Sequence, residues 1–212
     1  MRMNDVLRLY ETASPLTRLF LRGRVLMSDL EFIEKQVPAS GTIVDLGCGH
    51  GLFTNLLALR SAGRQVTGID FSPEKIDLAR KTAAGRVNIH FITADIADIY
   101  IPECDAITIV DFLYLLPGDA QRRVLAGCRR KLKPGGLLVW KAQERRPRWK
   151  YAWTYLEELI TTFAGITRGR RGQLTFMNRE EAIDSLEAAG FKAGMVEMKS
   201  WRPYPDILYL GS

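Results

Sequence analysis

The chain has 212 residues, 47% of them hydrophobic and 25% charged, with a formal net charge of +6. That length and apolar share suit a single domain with a sizeable core, and they exclude a disordered or fibrous chain. No apolar run reaches the roughly 18–20 residues that cross a bilayer and the first residues lack a signal-type apolar stretch. Cys48, Cys104 and Cys128 are too scattered for a disulfide framework or a zinc site, so a reducing, cytoplasmic compartment is expected.

Residues 5–37 read as helical, with Leu16, Leu19, Phe20, Leu26, Leu30 and Ile33 at mixed three- and four-residue spacing. A strand–helix rhythm then begins. Residues 42–46 form an apolar strand, 47–51 a glycine-rich loop and 52–62 an apolar-faced helix. Residues 65–70 form a strand ending in an acid, and Ser72-Pro73-Glu74 starts a helix, with Ser72 as its cap. Further strands are expected at 87–93 and 106–111. A helix at 117–132 follows, and Pro134-Gly135-Gly136 turns into a fifth strand at 137–142.

After residue 142 the rhythm breaks. Residues 147–163 look helical and aromatic, with Trp149, Tyr151, Trp153, Tyr155 and Phe163, and 164–177 read as loop. Asn178 with Glu181 suggests a capping box for a helix to about residue 189, ended by Gly190. Two strands, 192–200 and 205–210, close the pattern as an antiparallel pair. Strands alternating with helices predict parallel crossovers in a doubly wound α/β sheet.

The informative segment is Val44-Asp45-Leu46-Gly47-Cys48-Gly49-His50-Gly51, between a strand and a helix. Glycines there let the chain turn sharply and let a ligand approach the backbone. The spacing is Gly-x-Gly-x-Gly, so the dinucleotide fingerprint fails and an NAD-dependent reading is disfavoured. Asp45 stands two residues before the first glycine. Asp70 ends the next strand, where a carboxylate can accept both hydroxyls of a ribose. Each acid alone would read as an ordinary strand-end or capping residue.

This loop, followed by Gly68-Ile69-Asp70, Ala94-Asp95-Ile96, residues 105–111 and Leu132-Lys133-Pro134-Gly135-Gly136, resembles the class I S-adenosylmethionine-dependent methyltransferases over roughly residues 41–140. The resemblance implies a Rossmann-like, three-layer, seven-stranded sheet, mostly parallel with its last strand antiparallel. It also implies S-adenosylmethionine as cofactor and S-adenosylhomocysteine as product. Asp45, Gly47, Cys48 and Gly49 would surround the methionine part, Asp45 reaching its ammonium. Asp70 would hold the ribose, Phe71 would cover the adenine, and Asp95 with Ile96 would receive the adenine edge. Asp111 and Phe112 would face the sulfonium. Beside those roles, Asp95 reads as a turn cap, Phe71 as plain core and Cys48 as a small loop filler.

The acceptor is read mainly from what is missing. Residues 111–117 lack the proline pair of amino-directed nucleic-acid enzymes, and neither Cys104, before the fourth strand, nor Cys128, in the following helix, is placed at the strand tip as a nucleophile. No Asp-Asn pair follows Asp111, so no metal is expected. A small or lipid-like molecule, methylated on oxygen or nitrogen, is the remaining expectation; RNA- or protein-directed transfer and cofactor binding without catalysis are the alternatives. Base candidates are His50, Asp111, Tyr114 and Glu144, with a base required only if the acceptor must lose a proton. The expected organisation is one domain: a helical substrate segment at 1–40, a cofactor core at 41–142 and an insertion toward the acceptor at 143–177. Basic clusters at Arg18, Arg22 and Arg24, at Arg145, Arg146, Arg148 and Lys150, and at Arg168, Arg170 and Arg171 read either as a solvated basic surface or as attraction to an acidic carrier protein or an anionic membrane surface, with nucleic acid the less favoured partner.

Overall fold

The computed structural model describes residues 3–96, 101–143, 174–198 and 206–212. Three short helices come first: α1 (Met3–Arg8), α2 (Pro15–Met27) and α3 (Leu30–Glu34). Then β1 (Gly41–Leu46), α4 (Leu52–Arg60), β2 (Arg64–Asp70), α5 (Pro73–Thr82), β3 (Ile89–Thr93) and β4 (Cys104–Val110) alternate. A 3-10 turn at Leu113–Leu115, α6 (Gly118–Lys131), β5 (Leu132–Gln143), α7 (Arg179–Ala188), β6 (Ala193–Glu197) and β7 (Asp206–Gly211) follow. Among the described residues one seven-stranded sheet runs in the order β3-β2-β1-β4-β5-β7-β6. Strands β1 to β5 pair in parallel, and β7 is antiparallel to both β5 and β6. This is the expected Rossmann-like architecture.

Alternation along the strands sorts the core into two layers. Ile43, Val66, Ala106, Val110 and Val139 pack beneath α1 to α5. Val44, Ile69, Ile107, Ile109 and Trp140 face the other way, toward α6 and α7. Both faces of the sheet are covered, which is why these strands read as continuous apolar runs.

Several boundaries differ from expectation. The helical stretch at 5–37 is three helices. Ser14 caps α2, accepting the Thr17 N–H at 3.1 Å, with Pro15 at the first position. Asp29 caps α3, accepting the Phe32 N–H at 3.3 Å. Strand β3 starts at Ile89, because Val87 is exposed. Strand β5 starts at Leu132, and Pro134-Gly135-Gly136 lies within it as an irregularity: Cys104 faces Leu132, yet Ala106 faces Leu137. The capping box on α7 is present, with reciprocal contacts of 2.9 and 2.8 Å between Asn178 and Glu181. The expected helix at 147–163, the base candidate Glu144 and nearly all of the insertion at 143–177 lie outside the described residues.

Candidate functional site

The carboxyl ends of β1, β2 and β4 meet at one cleft, closed from the N-terminal side by Phe20, Leu21 and Arg24 of α2. Ligand sites in open α/β sheets form at this edge, where strand order reverses; here β1 has β2 on one side and β4 on the other. The loop after β1 forms one wall. Gly47 has φ +73 and a Cβ there would collide with the Phe112 ring, so only glycine is accommodated. Gly49 has φ +55, and a Cβ there would meet nothing within 4 Å. It lines the cleft, so the missing side chain leaves a cradle against bare backbone.

Two carboxylates flank that cradle, and each is held in place. Asp70, 4% exposed, accepts the Gly49 N–H on Oδ2 and the Ser72 N–H on Oδ1, both at 2.9 Å. It therefore ties the glycine loop to the start of α5 and still has lone pairs facing the cleft. Asp45, 1% exposed, accepts the Thr54 hydroxyl at 2.6 Å and the Thr108 hydroxyl at 2.7 Å. Burial pushes its carboxyl up to about 6 despite both hydroxyls and the Arg24 charge. A buried acid with a raised pKa facing a cleft is the environment that a bound cation would relieve.

His50 also lines the cleft, its ring edge-on to Phe20 with centroids 5.9 Å apart. Burial, then the Lys75 and Arg24 charges, push its imidazole down to about 4, so it is neutral and weakly basic at physiological pH. Its carbonyl accepts the hydroxyl of Tyr10, just after α1, at 2.9 Å. Asn55 donates to the same Tyr10 oxygen at 3.0 Å, fastening the N-terminal segment to the loop. Burial, then the Asp45 and Asp70 charges, raise the Cys48 thiol, which suits a loop filler and not a nucleophile.

Asp111, at the tip of β4, has φ +52, the one non-glycine in the left-handed region among the described residues. Its carboxylate receives Lys141 Nζ at 2.6 Å, Ser28 Oγ at 2.8 Å and Arg24 at 3.2 Å. Lys141, 1% exposed, also meets Asp206 at 3.1 Å. Two acids and two bases thus share a buried cluster joining α2, β4, β5 and β7. Burial opposes the charged form of Asp111, but Lys141 and Arg24 outweigh it and hold the carboxyl below its usual range. That makes Asp111 a poor proton acceptor.

Of the residues singled out from sequence, Asp45, Gly47, Cys48, Gly49, His50, Asp70, Phe71, Asp111 and Phe112 all line this cleft. Phe71 is 36% exposed, which rules out the plain-core alternative. Three residues fall elsewhere. Asp95 is exposed and Ile96 is buried in the layer under α6, and neither lines the cleft. Tyr114 is 5% exposed and stacks on Phe176, centroids 4.7 Å apart, because the 3-10 turn rotates it away. Arg24 reads from sequence only as part of a basic cluster, and Lys141 escaped the sequence reading. A lysine in the apolar run Leu137-Leu138-Val139-Trp140-Lys141 is the signal that was available, since a lysine in a strand covered on both faces needs a buried counter-charge.

A family model described as "Methyltransferase domain" matches residues 43–136. The chain is 30% identical over 171 residues to the ubiquinone biosynthesis O-methyltransferase of Coxiella burnetii (strain Dugway 5J108-111), covering 77% of this chain and 69% of that one. Similarity to the enzyme of the same name from Aromatoleum aromaticum is 26% over 189 residues, 86% of this chain and 78% of the relative. Among solved structures, the S-adenosylmethionine-dependent methyltransferase SibL superposes with a TM-score of 0.71 at 24% identity, over 95% of this chain and 60% of that one. The magnesium protoporphyrin IX methyltransferase of Synechocystis PCC 6803, solved with bound S-adenosylhomocysteine, gives 0.66 at 19% identity, over 96% and 91%.

Proposed function

Because the chain belongs to the class I S-adenosylmethionine-dependent methyltransferases, we propose that it methylates an oxygen of a small or lipid-like acceptor without a metal. The observation that carries this reading is the pair of held carboxylates, Asp45 and Asp70, on either side of the open cradle at Gly49. Those residues fit a cofactor with a cationic amino-acid part and a ribose. Asp45 would meet its ammonium, Asp70 its ribose hydroxyls, and Phe71 an adenine face. Bound there, the cofactor supplies a methyl group activated by positive sulfur.

The chain's own residues then orient and exclude water. Phe20, Leu21 and Phe112 give the acceptor an apolar wall. Arg24 stabilises negative charge on an acceptor oxygen, and neutral His50 can accept a hydrogen bond from its hydroxyl. Oxygen, rather than nitrogen, is favoured by the O-methyltransferase relatives. The +6 charge supports presentation of the acceptor by an acidic carrier protein or an anionic membrane surface. Among the described residues no helix is long and apolar enough to cross a membrane.

The direct test is labelled methyl transfer across a metabolite extract and a lipid extract, with RNA as a parallel arm. Label in a small or lipid product is expected; label in RNA alone would sink the reading. Activity should also survive a strong chelator. Complete loss that magnesium restores would refute metal independence.

Cofactor affinity should depend on pH through Asp45. The free carboxyl titrates at about 6, and only its charged form attracts an ammonium. Affinity is therefore full above that value and falls as pH drops through it, about tenfold per unit until the bound-state pKa is reached. Calorimetry from pH 8 to pH 5 checks this, and Asp45→Asn should flatten the profile. An equally steep profile in that variant would show that another group titrates.

A further inference from the structure

Helix α2 has three different sides. Leu21 is buried against α1 and the core, and Phe20 and Arg24 line the cleft. The third side faces solvent and is apolar: Leu16 is 60% exposed, Leu19 67% and Leu26 63%. At about 100° per residue these three fall within an arc of roughly 80°. Gly23 lies on the same arc, where a Cβ would touch nothing within 4 Å. Exposed leucines scattered singly need no explanation, but a row on one helix does. Beside the row, the groove between α1 and α2 carries Arg8, Arg18 and Arg22 against a single acid, Glu11. The helix itself holds three arginines and no acid.

We propose that this face of α2 docks the enzyme on an anionic phospholipid surface. Leu16, Leu19 and Leu26 enter the boundary between headgroups and acyl chains, while Arg8, Arg18 and Arg22 meet the lipid phosphates. Charge chooses this occupant over a second copy. A two-fold contact would lay the face against itself, bringing two rims of three arginines together with one groove acid each, Glu11, to answer them. The proposal rests on the lipid-like acceptor reading in one respect. Phe20 and Arg24 belong to the same helix, so an acceptor leaving the bilayer along α2 arrives at the cleft without crossing open water.

Co-sedimentation with vesicles tests the docking. One set contains phosphatidylcholine and phosphatidylglycerol at a two-to-one ratio, and the other phosphatidylcholine alone. The wild type should bind the mixed vesicles and not the neutral ones. The triple variant Leu16→Ser, Leu19→Ser, Leu26→Ser should lose at least about tenfold in partitioning. The double variant Arg8→Glu, Arg22→Glu should lose a similar factor, about fivefold for each arginine. Both should keep wild-type cofactor affinity by calorimetry, which shows that they fold. No binding to mixed vesicles, or equal binding to both sets, overturns the proposal. So does a wild type that ignores vesicles but halves its mass by light scattering when the leucines are replaced, because the face is then a self-contact. Vesicle binding without methylation of any compound in a lipid extract supports the docking and refutes the acceptor reading instead.

Discussion

Lys141→Met should lower the unfolding free energy by about 3–5 kcal/mol, the usual effect of removing one partner from a buried ion pair. Methionine fills much of the lysine's volume, so lost packing is a minor part. What remains is Asp111 and Asp206, both nearly inaccessible and deprived of the ammonium that lay 2.6 and 3.1 Å away. Arg24 still reaches Asp111 at 3.2 Å, but from the half-exposed side. Denaturant titration measures the loss, and its pH dependence identifies the cause. Without Lys141 the folded-state pKa of each buried acid rises, so the folded protein binds more protons than the unfolded chain. Stability must then recover as pH falls. The deficit at pH 5 should be smaller than at pH 8. An equal deficit at both would assign the effect to shape alone.

Asp70→Ala should weaken S-adenosylmethionine binding by about 1.5–3 kcal/mol, roughly ten- to a hundred-and-fifty-fold, while the protein stays folded. Two effects act together. The contact to the ribose hydroxyls is lost, and the Gly49 N–H loses the acceptor that sets the shape of the loop. Asp70→Asn keeps one oxygen for a backbone N–H and should fall between alanine and wild type. Calorimetry on both variants, with circular dichroism as the fold control, decides it. Unchanged affinity in a folded alanine variant would make Asp70 a purely structural brace.

The site was legible where one residue's role follows from its immediate neighbours in the chain. The turn after β1 requires glycine at Gly47, and a strand that ends in Asp70 just before a Ser-Pro helix start puts a carboxylate beside it. Roles set by distant partners were not legible. Asp111 meets Ser28 and Arg24 from more than eighty residues away, and no local pattern announces that its charge is already used. Tyr114 reads as a base candidate at the cleft, but a single 3-10 turn directs it onto Phe176 instead. The breaks at Ser14-Pro15 and Ser28-Asp29 were readable, since Ser14-Pro15 repeats the signal used at Ser72-Pro73. The apolar periodicity running through them masked it.

The bond from the Tyr10 hydroxyl to the His50 carbonyl makes the first helical segment and the glycine loop thermodynamically reciprocal. Tyr10 is 1% exposed, so the segment cannot lift away without breaking this bond to the loop. Any ligand that narrows the motion of the loop must therefore tighten α1 and α2 by the same free energy, and anything that grips those helices must return it at the loop. Occupancy of the cleft and engagement of the outer helix surface become two readings of one equilibrium, with no hinge between domains needed to join them.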